Sequence, residues 1–182
     1  MTKQLPLTLL ILFLFLFIRA GQALPLQNCL KDKKEQVVTA VCDGDTIVIE
    51  KGSCKTGFPE NKIRLLGIDA FEMGQEPYGK KSKDFLTKLL LNKKVCIETD
   101  VDKKDIYNRT LGYVFVIEDF SFINEEILKT GHAILYDFPP NTKYIDRLKK
   151  AQTYARKNMI GIWEKQNYIE ETPAQWRHKN KS

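Results

Sequence analysis

Three short runs of alternating apolar residues follow one another between Val37 and Ile68, broken only by turn-forming residues, and this spacing commits the chain to a β-sheet. Val37 to Cys42 and Thr46 to Lys51 read as two strands joined by the tight turn Asp43-Gly44-Asp45. Gly52, Gly57 and Pro59 mark a loop, and Lys62 to Ile68 is a third strand, which completes a meander. The period then changes. From Pro77 to Asn92, Phe85, Leu86, Leu89 and Leu90 recur at helical spacing, while Lys80, Lys81, Lys83, Asp84 and Lys88 take the other face. Val95 to Thr99 and Leu111 to Ile117 return to strand character, with the polar loop Asp100 to Thr110 between them. Phe122 to Thr130 is a short helix stopped by Gly131, and Tyr144 to Asn158 is a longer one with Ile145, Leu148, Ala151 and Ala155 along one side. The expectation is an α+β fold with a mainly β core, a five-stranded OB-like barrel carrying three helices.

The first 23 residues stand apart from this pattern. Lys3 supplies a positive start, Leu7 to Ile18 is apolar except for Thr8, and Gly21-Gln22-Ala23 offers small residues for cleavage, so residues 1–23 read as an export signal. That run is too short to span a bilayer, which needs about 20 residues. Arg19 directly after it also allows an uncleaved N-terminal anchor. Residues 24–36 form a polar lead-in, 37–166 the single domain and 167–182 a basic tail. The chain of 182 residues carries a net charge of +6, and loss of the signal removes Lys3 and Arg19 but no acid. The remaining excess of base is mild and suits an anionic partner. Cys29, Cys42, Cys54 and Cys96 lack the paired spacings of a zinc site, and export would favour one or two disulfides over buried free thiols. Four cysteines allow three full pairings, and spacing does not choose among them.

Only two histidines are present, His132 and His178, which excludes histidine-rich zinc sites and tandem-histidine phosphodiesterase motifs. Any chemistry must rest on carboxylates and arginines. Asp43 and Asp45 flank the first turn, and Asp69 and Glu72 follow the third strand directly, so pairing of the strands would bring these acids together. Carboxylates held close repel one another, and a hard divalent cation with oxygen ligands relieves that repulsion; calcium or magnesium fits better than zinc. Taken alone, Asp-Gly-Asp is equally the sequence of a solvated hairpin turn. Arg64 lies within an otherwise apolar strand and Arg109 at the end of the polar loop. Each suits a phosphate bidentately, and each could instead pair with a neighbouring carboxylate.

In combination these pieces resemble the thermonuclease (staphylococcal or micrococcal nuclease) family. The match runs through Asp43-Gly44-Asp45-Thr46, Ile63-Arg64-Leu65-Leu66-Gly67-Ile68-Asp69-Ala70-Phe71-Glu72, Asp105-Ile106-Tyr107-Asn108-Arg109 and Leu111-Gly112-Tyr113. Pro77-Tyr78-Gly79, Ile160-Gly161-Ile162-Trp163 and the segment Pro173 to Arg177 agree as well. The resemblance implies an OB barrel with three helices. It assigns Asp45, Asp69 and the main-chain carbonyl of Ala70 to a calcium ion, and Arg64, Glu72 and Arg109 to catalysis. Asp43 would stand behind the metal acids and Thr46 would support the turn. Tyr107, Tyr136 and Phe138 match aromatic residues beside the bound nucleotide. Family members usually carry Thr-Pro where this chain has Ala70-Phe71, a lysine at Ile106 and a glycine at Asn108.

The activity implied is an exported, calcium-dependent nuclease, secreted or periplasmic. It would cleave single-stranded or fraying DNA and RNA with little sequence preference, break the bond to the 5′ oxygen and leave 3′-phosphate ends. Lysines of the first helix and Lys103-Lys104 could hold the flanking strand, or simply form a solvated face. The chain would act as a monomer, touching a membrane only through an uncleaved signal. The competing reading is a catalytically inactive OB module that binds nucleic acid or a protein, and a calcium-stabilised structural protein is a third.

Overall fold

The computed structural model describes residues 35–180 apart from Lys51, Thr56, Gly57, Tyr168 and Glu170. The export signal, nearly all of the lead-in and Cys29 lie outside the described residues. Among the described residues no helix is long and apolar enough to cross a membrane.

Five strands close a barrel: β1 (Gln36–Val41), β2 (Thr46–Ile49), β3 (Lys62–Leu65), β5 (Lys94–Glu98) and β6 (Thr110–Val116). Their order around the barrel is β1-β2-β3-β6-β5, with β1 pairing back onto β5. All pairs are antiparallel except β3 with β6. That one parallel pair needs a crossover, and the chain between β3 and β6 supplies it with a helix and β5. Every residue of β2 is buried, and Ile47, Ile63, Leu65, Val95 and Val114 are at most 1% exposed, so the barrel is filled by side chains.

The expected third strand does not run through to Ile68. It breaks at Leu66-Gly67, and Ile68–Ala70 becomes a separate strand, β4, paired with β7 (Ala133–Leu135) outside the barrel. Asn124 holds the break. Its side chain, wholly buried, donates to the Leu66 carbonyl at 2.8 Å and accepts from Val114 N–H at 2.9 Å.

The three expected helices are present as α1 (Tyr78–Leu90), α2 (Ile123–Lys129) and α3 (Ile145–Lys157). Their apolar faces meet the barrel through Leu86 and Leu90, Ile127 and Leu128, and Leu148 and Ala151. A fourth helix corrects the count. Part of the stretch expected to be a basic tail forms α4 (Pro173–Lys179), opened by a capping box in which Thr172 and Gln175 bond one another's backbone. A disulfide joins Cys42, just after β1, to Cys54 in the loop between β2 and β3, and Cys96 of β5 is disulfide-bonded as well.

Candidate active site

Strand register builds the site. Thr46, the first residue of β2, lies opposite Arg64 in the middle of β3, and Arg64 in turn lies beside Leu111 of β6, two residues after Arg109. Asp45, Arg64 and Arg109 therefore share one end of the barrel. The turn before β2 is held close to α1 and β4: a Cβ on Gly44 would fall 2.6 Å from the Cβ atoms of both Ala70 and Ser82, so the Asp-Gly-Asp turn tolerates no side chain at its centre.

The acids converge on two guanidinium groups. Arg64 Nη2 lies 3.1 Å from Asp45 Oδ2 and 3.3 Å from Asp69 Oδ1, while its Nη1 donates to the carbonyls of Leu65 at 2.7 Å and Ile68 at 2.9 Å. The β3–β4 break is what allows this, because it turns the Ile68 carbonyl back toward Arg64. Asp45 and Asp69 are 7% and 1% exposed. The Ala70 N–H donates to Asp45 Oδ2 at 2.9 Å, which ties β4 to the turn. Asp43 accepts from the Asp45 N–H at 3.0 Å; burial, then the charge of Asp45, pushes its carboxyl up to about 6.

Arg177 of α4 is the second guanidinium. Its Nη1 donates to Asp69 Oδ1 at 3.0 Å and to Glu72 Oε1 at 2.8 Å, and its Nη2 donates to Asp69 Oδ2 at 2.9 Å. Those contacts raise the arginine's already high pKa. Glu72 is positioned by its backbone, whose N–H donates to Gln75 Oε1 at 2.9 Å. Close approach of α1 adds to this: a Cβ on Gly79 would meet the Glu72 carbonyl oxygen at 2.0 Å. Sequence reasoning reached the segment around Arg177 as a matching motif but gave it no role; its partners lie 105 and 108 residues away in the chain.

Arg109 approaches from the polar loop. Asp105 accepts from its backbone N–H at 2.9 Å and from its Nε at 2.7 Å, and Arg109 Nη1 reaches Thr46 Oγ1 at 3.4 Å. Thr46 donates in turn to Asp45 Oδ1 at 3.1 Å, so the second expected arginine is linked to the acids through one hydroxyl. Arg109 Nη2 makes no hydrogen bond among the described residues.

The expected aromatic residues fall into two groups. Tyr107 is 68% exposed, with the Arg109 guanidinium 5.5 Å from its ring centre, and Ile106 beside it is 91% exposed. Tyr136 and Phe138 stack on each other at 5.8 Å just after β7. Asn141 joins the two groups at one rim: it pairs with Phe138 across a tight turn and exchanges two hydrogen bonds with the backbone of Asp102 in the polar loop. Of the lysines considered for strand binding, Lys80 pairs with Asp84, and Lys104 donates to Asn108 at 2.9 Å.

The donor set can be tested against a divalent cation. Two buried carboxylate oxygens lie within 3.3 Å of one nitrogen, and the Ala70 N–H donates to one of them. Among the described residues no group of three or more His, Cys, Asp and Glu could hold a metal. Two carboxylates would suit only a hard cation that takes the rest of its shell from main-chain oxygen and water, and not one that demands a closed protein cage.

Comparison with known proteins agrees with this architecture. The profile described as Staphylococcal nuclease homologue matches residues 62–165. The protein named Thermonuclease of Staphylococcus intermedius is 37% identical over 134 residues, which cover 71% of this chain and 76% of that protein. Thermonuclease of Staphylococcus hyicus is 37% identical over 131 residues, 69% and 73% of the two chains. Endonuclease YncB of Bacillus subtilis (strain 168) is 35% identical over 135 residues, 70% and 60% of the two chains.

Proposed function

The chain belongs to the staphylococcal nuclease family, and from that premise we propose that it is an exported calcium-dependent nuclease that hydrolyses DNA and RNA with little sequence preference. The nuclease class comes with the family. The observation that carries the reading is the convergence of Asp45, Asp69 and Glu72 on two guanidinium groups at the end of the barrel where Arg109 also arrives.

A phosphodiester resists hydrolysis because its negative oxygens repel the nucleophile and the transition state gathers more charge on them. Asp45 and Asp69, with the main chain at Ala70, would hold a calcium ion, which supplies positive charge to a phosphate oxygen when bound. Arg64 and Arg109 bring two further positive charges to the remaining oxygens, and Asp105 fixes the direction of the second. Glu72, 34% exposed and on the rim of this cluster, takes the proton of the attacking water. Departure of the 5′ oxygen leaves a 3′-phosphate. Tyr107, Tyr136 and Phe138 offer ring faces to an unpaired base, which favours single-stranded or fraying substrate. Asp43 and Thr46 hold the turn that carries Asp45. The chain acts as a monomer, and the disulfides are consistent with an oxidising destination outside the cytoplasm.

The test is incubation of the oxidised protein with denatured DNA and with RNA, in calcium and in a calcium chelator, followed by analysis of product ends. Cleavage only in calcium, with phosphate on the 3′ side, is expected. Binding without cleavage in either condition would identify an inactive OB module instead.

A further inference from the structure

We propose that Arg177 is a built-in competitor of the divalent cation: α4 seats its guanidinium on Asp69 and Glu72, and cation binding requires its release. The inference rests on the calcium reading above and adds a positioning residue and a control step to it. Arg177 is not a surface side chain that happens to touch an acid. Its helix is anchored twice on the segment that carries Glu72. The Trp176 ring covers Gly74, where a Cβ would lie 2.7 Å from a ring carbon. Gln75 donates to the Glu171 carbonyl at 3.2 Å through Nε2 and accepts the Glu72 N–H through Oε1, so one side chain ties the approach to α4 to the backbone of Glu72.

The contacts themselves make the competition. The fork of Arg177 engages both oxygens of Asp69, which is 1% exposed, and Asp69 Oδ1 also receives Arg64. A divalent cation bound to Asp69 would share its oxygens with a guanidinium held against them, and two like charges at that distance repel. Of the two arginines, Arg177 is the one that can leave. Arg64 stays in place through the carbonyls of Leu65 and Ile68, whereas among the described residues Arg177 donates only to the two acids. With Arg177 seated, Glu72 Oε1 accepts from its guanidinium and only Oε2 is left without a partner among the described residues. Release would remove Arg177 from both oxygens of Asp69 and from Glu72 Oε1 in one movement. Where calcium is scarce, Arg177 neutralises the clustered acids; where it is abundant, the site opens.

The test needs no nucleic acid. Calcium is titrated calorimetrically into the oxidised full chain, its Arg177→Ala, Arg177→Lys and Trp176→Ala variants, and Asp69→Asn as a control. Removal of charge-assisted hydrogen bonds to a needed ligand is expected to tighten calcium binding by about tenfold or more in Arg177→Ala. Arg177→Lys should fall between it and the wild type, because an ammonium cannot fork both acids. Trp176→Ala, which loosens the helix while keeping the arginine, should move in the same direction. Thermal melts supply a second readout: in chelator Arg177→Ala melts below the wild type, and calcium raises its midpoint by more. Equal or weaker calcium binding in Arg177→Ala overturns the proposal while leaving the calcium reading intact. Failure of every chain to bind calcium, or binding that survives Asp69→Asn, overturns the calcium reading and the competitor with it.

Discussion

Asp105 and His132 carry consequences that belong to single side chains. Asp105 receives both the backbone and the side chain of Arg109, so it sets where that guanidinium points. Asp105→Asn keeps the shape but removes the ionic hydrogen bond, and turnover of single-stranded DNA is expected to fall by about 10- to 100-fold, the scale on which loss of fixed geometry acts. Melting behaviour close to that of the wild type would separate this from unfolding. His132 stacks on Phe85 at 3.9 Å, far from the acids in sequence; burial, then the charge of Lys81, lowers its pKa from 6.5. As pH falls, the unfolded chain therefore takes up this proton before the folded one. The His132 contribution is complete above the ordinary histidine value and is lost as pH falls through it. From about pH 7 to about pH 5 the His132 contribution lowers the melting midpoint, while Asp43, whose raised carboxyl takes up its proton first in the folded chain, acts the other way; relative to the wild type, His132→Gln should lose less stability toward pH 5. The residues that converge at this end of the barrel could be picked out beforehand because they sit in short segments, each near a strand end. The partner of Arg177 could not, since nothing local to a basic tail indicates an acid more than 100 residues earlier.

Among the elements, those with several turns or several alternations were the legible ones. The helices α1 and α3 each run 13 residues, long enough for a periodic face to stand out. β4 and β7 are three residues each, too short for alternation to be recognised; β4 appeared as the tail of the third strand and β7 was assigned no element. α4 escaped notice because its seven residues show little apolar periodicity; its capping box, Thr172 through Gln175, was the available signal. Asn108 illustrates the converse. It stands where the family commonly has glycine, and its φ of 62° is a left-handed conformation that asparagine accepts better than most residues, so the loop keeps its course to Arg109. The β3–β4 break depends on Asn124. Asn124→Ala leaves the buried Val114 N–H and Leu66 carbonyl without their partner, and a loss of about 2–3 kcal/mol in denaturant unfolding is expected.

At the scale of the molecule, the five barrel strands were readable but their pairing was not. Five strands, their order along the chain and an OB-like barrel follow from alternation, whereas the parallel pairing of β3 with β6 joins residues almost 50 positions apart and was not among the expectations. Pairing of the cysteines was similarly open until the fold brought Cys42 to Cys54. That bridge closes a loop with a sequence separation of 12 and is expected to contribute about 3 kcal/mol, so reduction should lower the unfolding midpoint measurably. The barrel brings the end of β1, the start of β2, the β3–β4 break and the entry to β6 to one rim, and the nuclease chemistry is proposed there. The most direct measurement is steady-state turnover of a short single-stranded DNA by the wild type and by Glu72→Gln across a calcium titration. Turnover that rises with calcium and saturates, and falls by orders of magnitude in Glu72→Gln while KM changes little, is the expected result. Turnover indifferent to a calcium chelator, or equal in the two proteins, would contradict it.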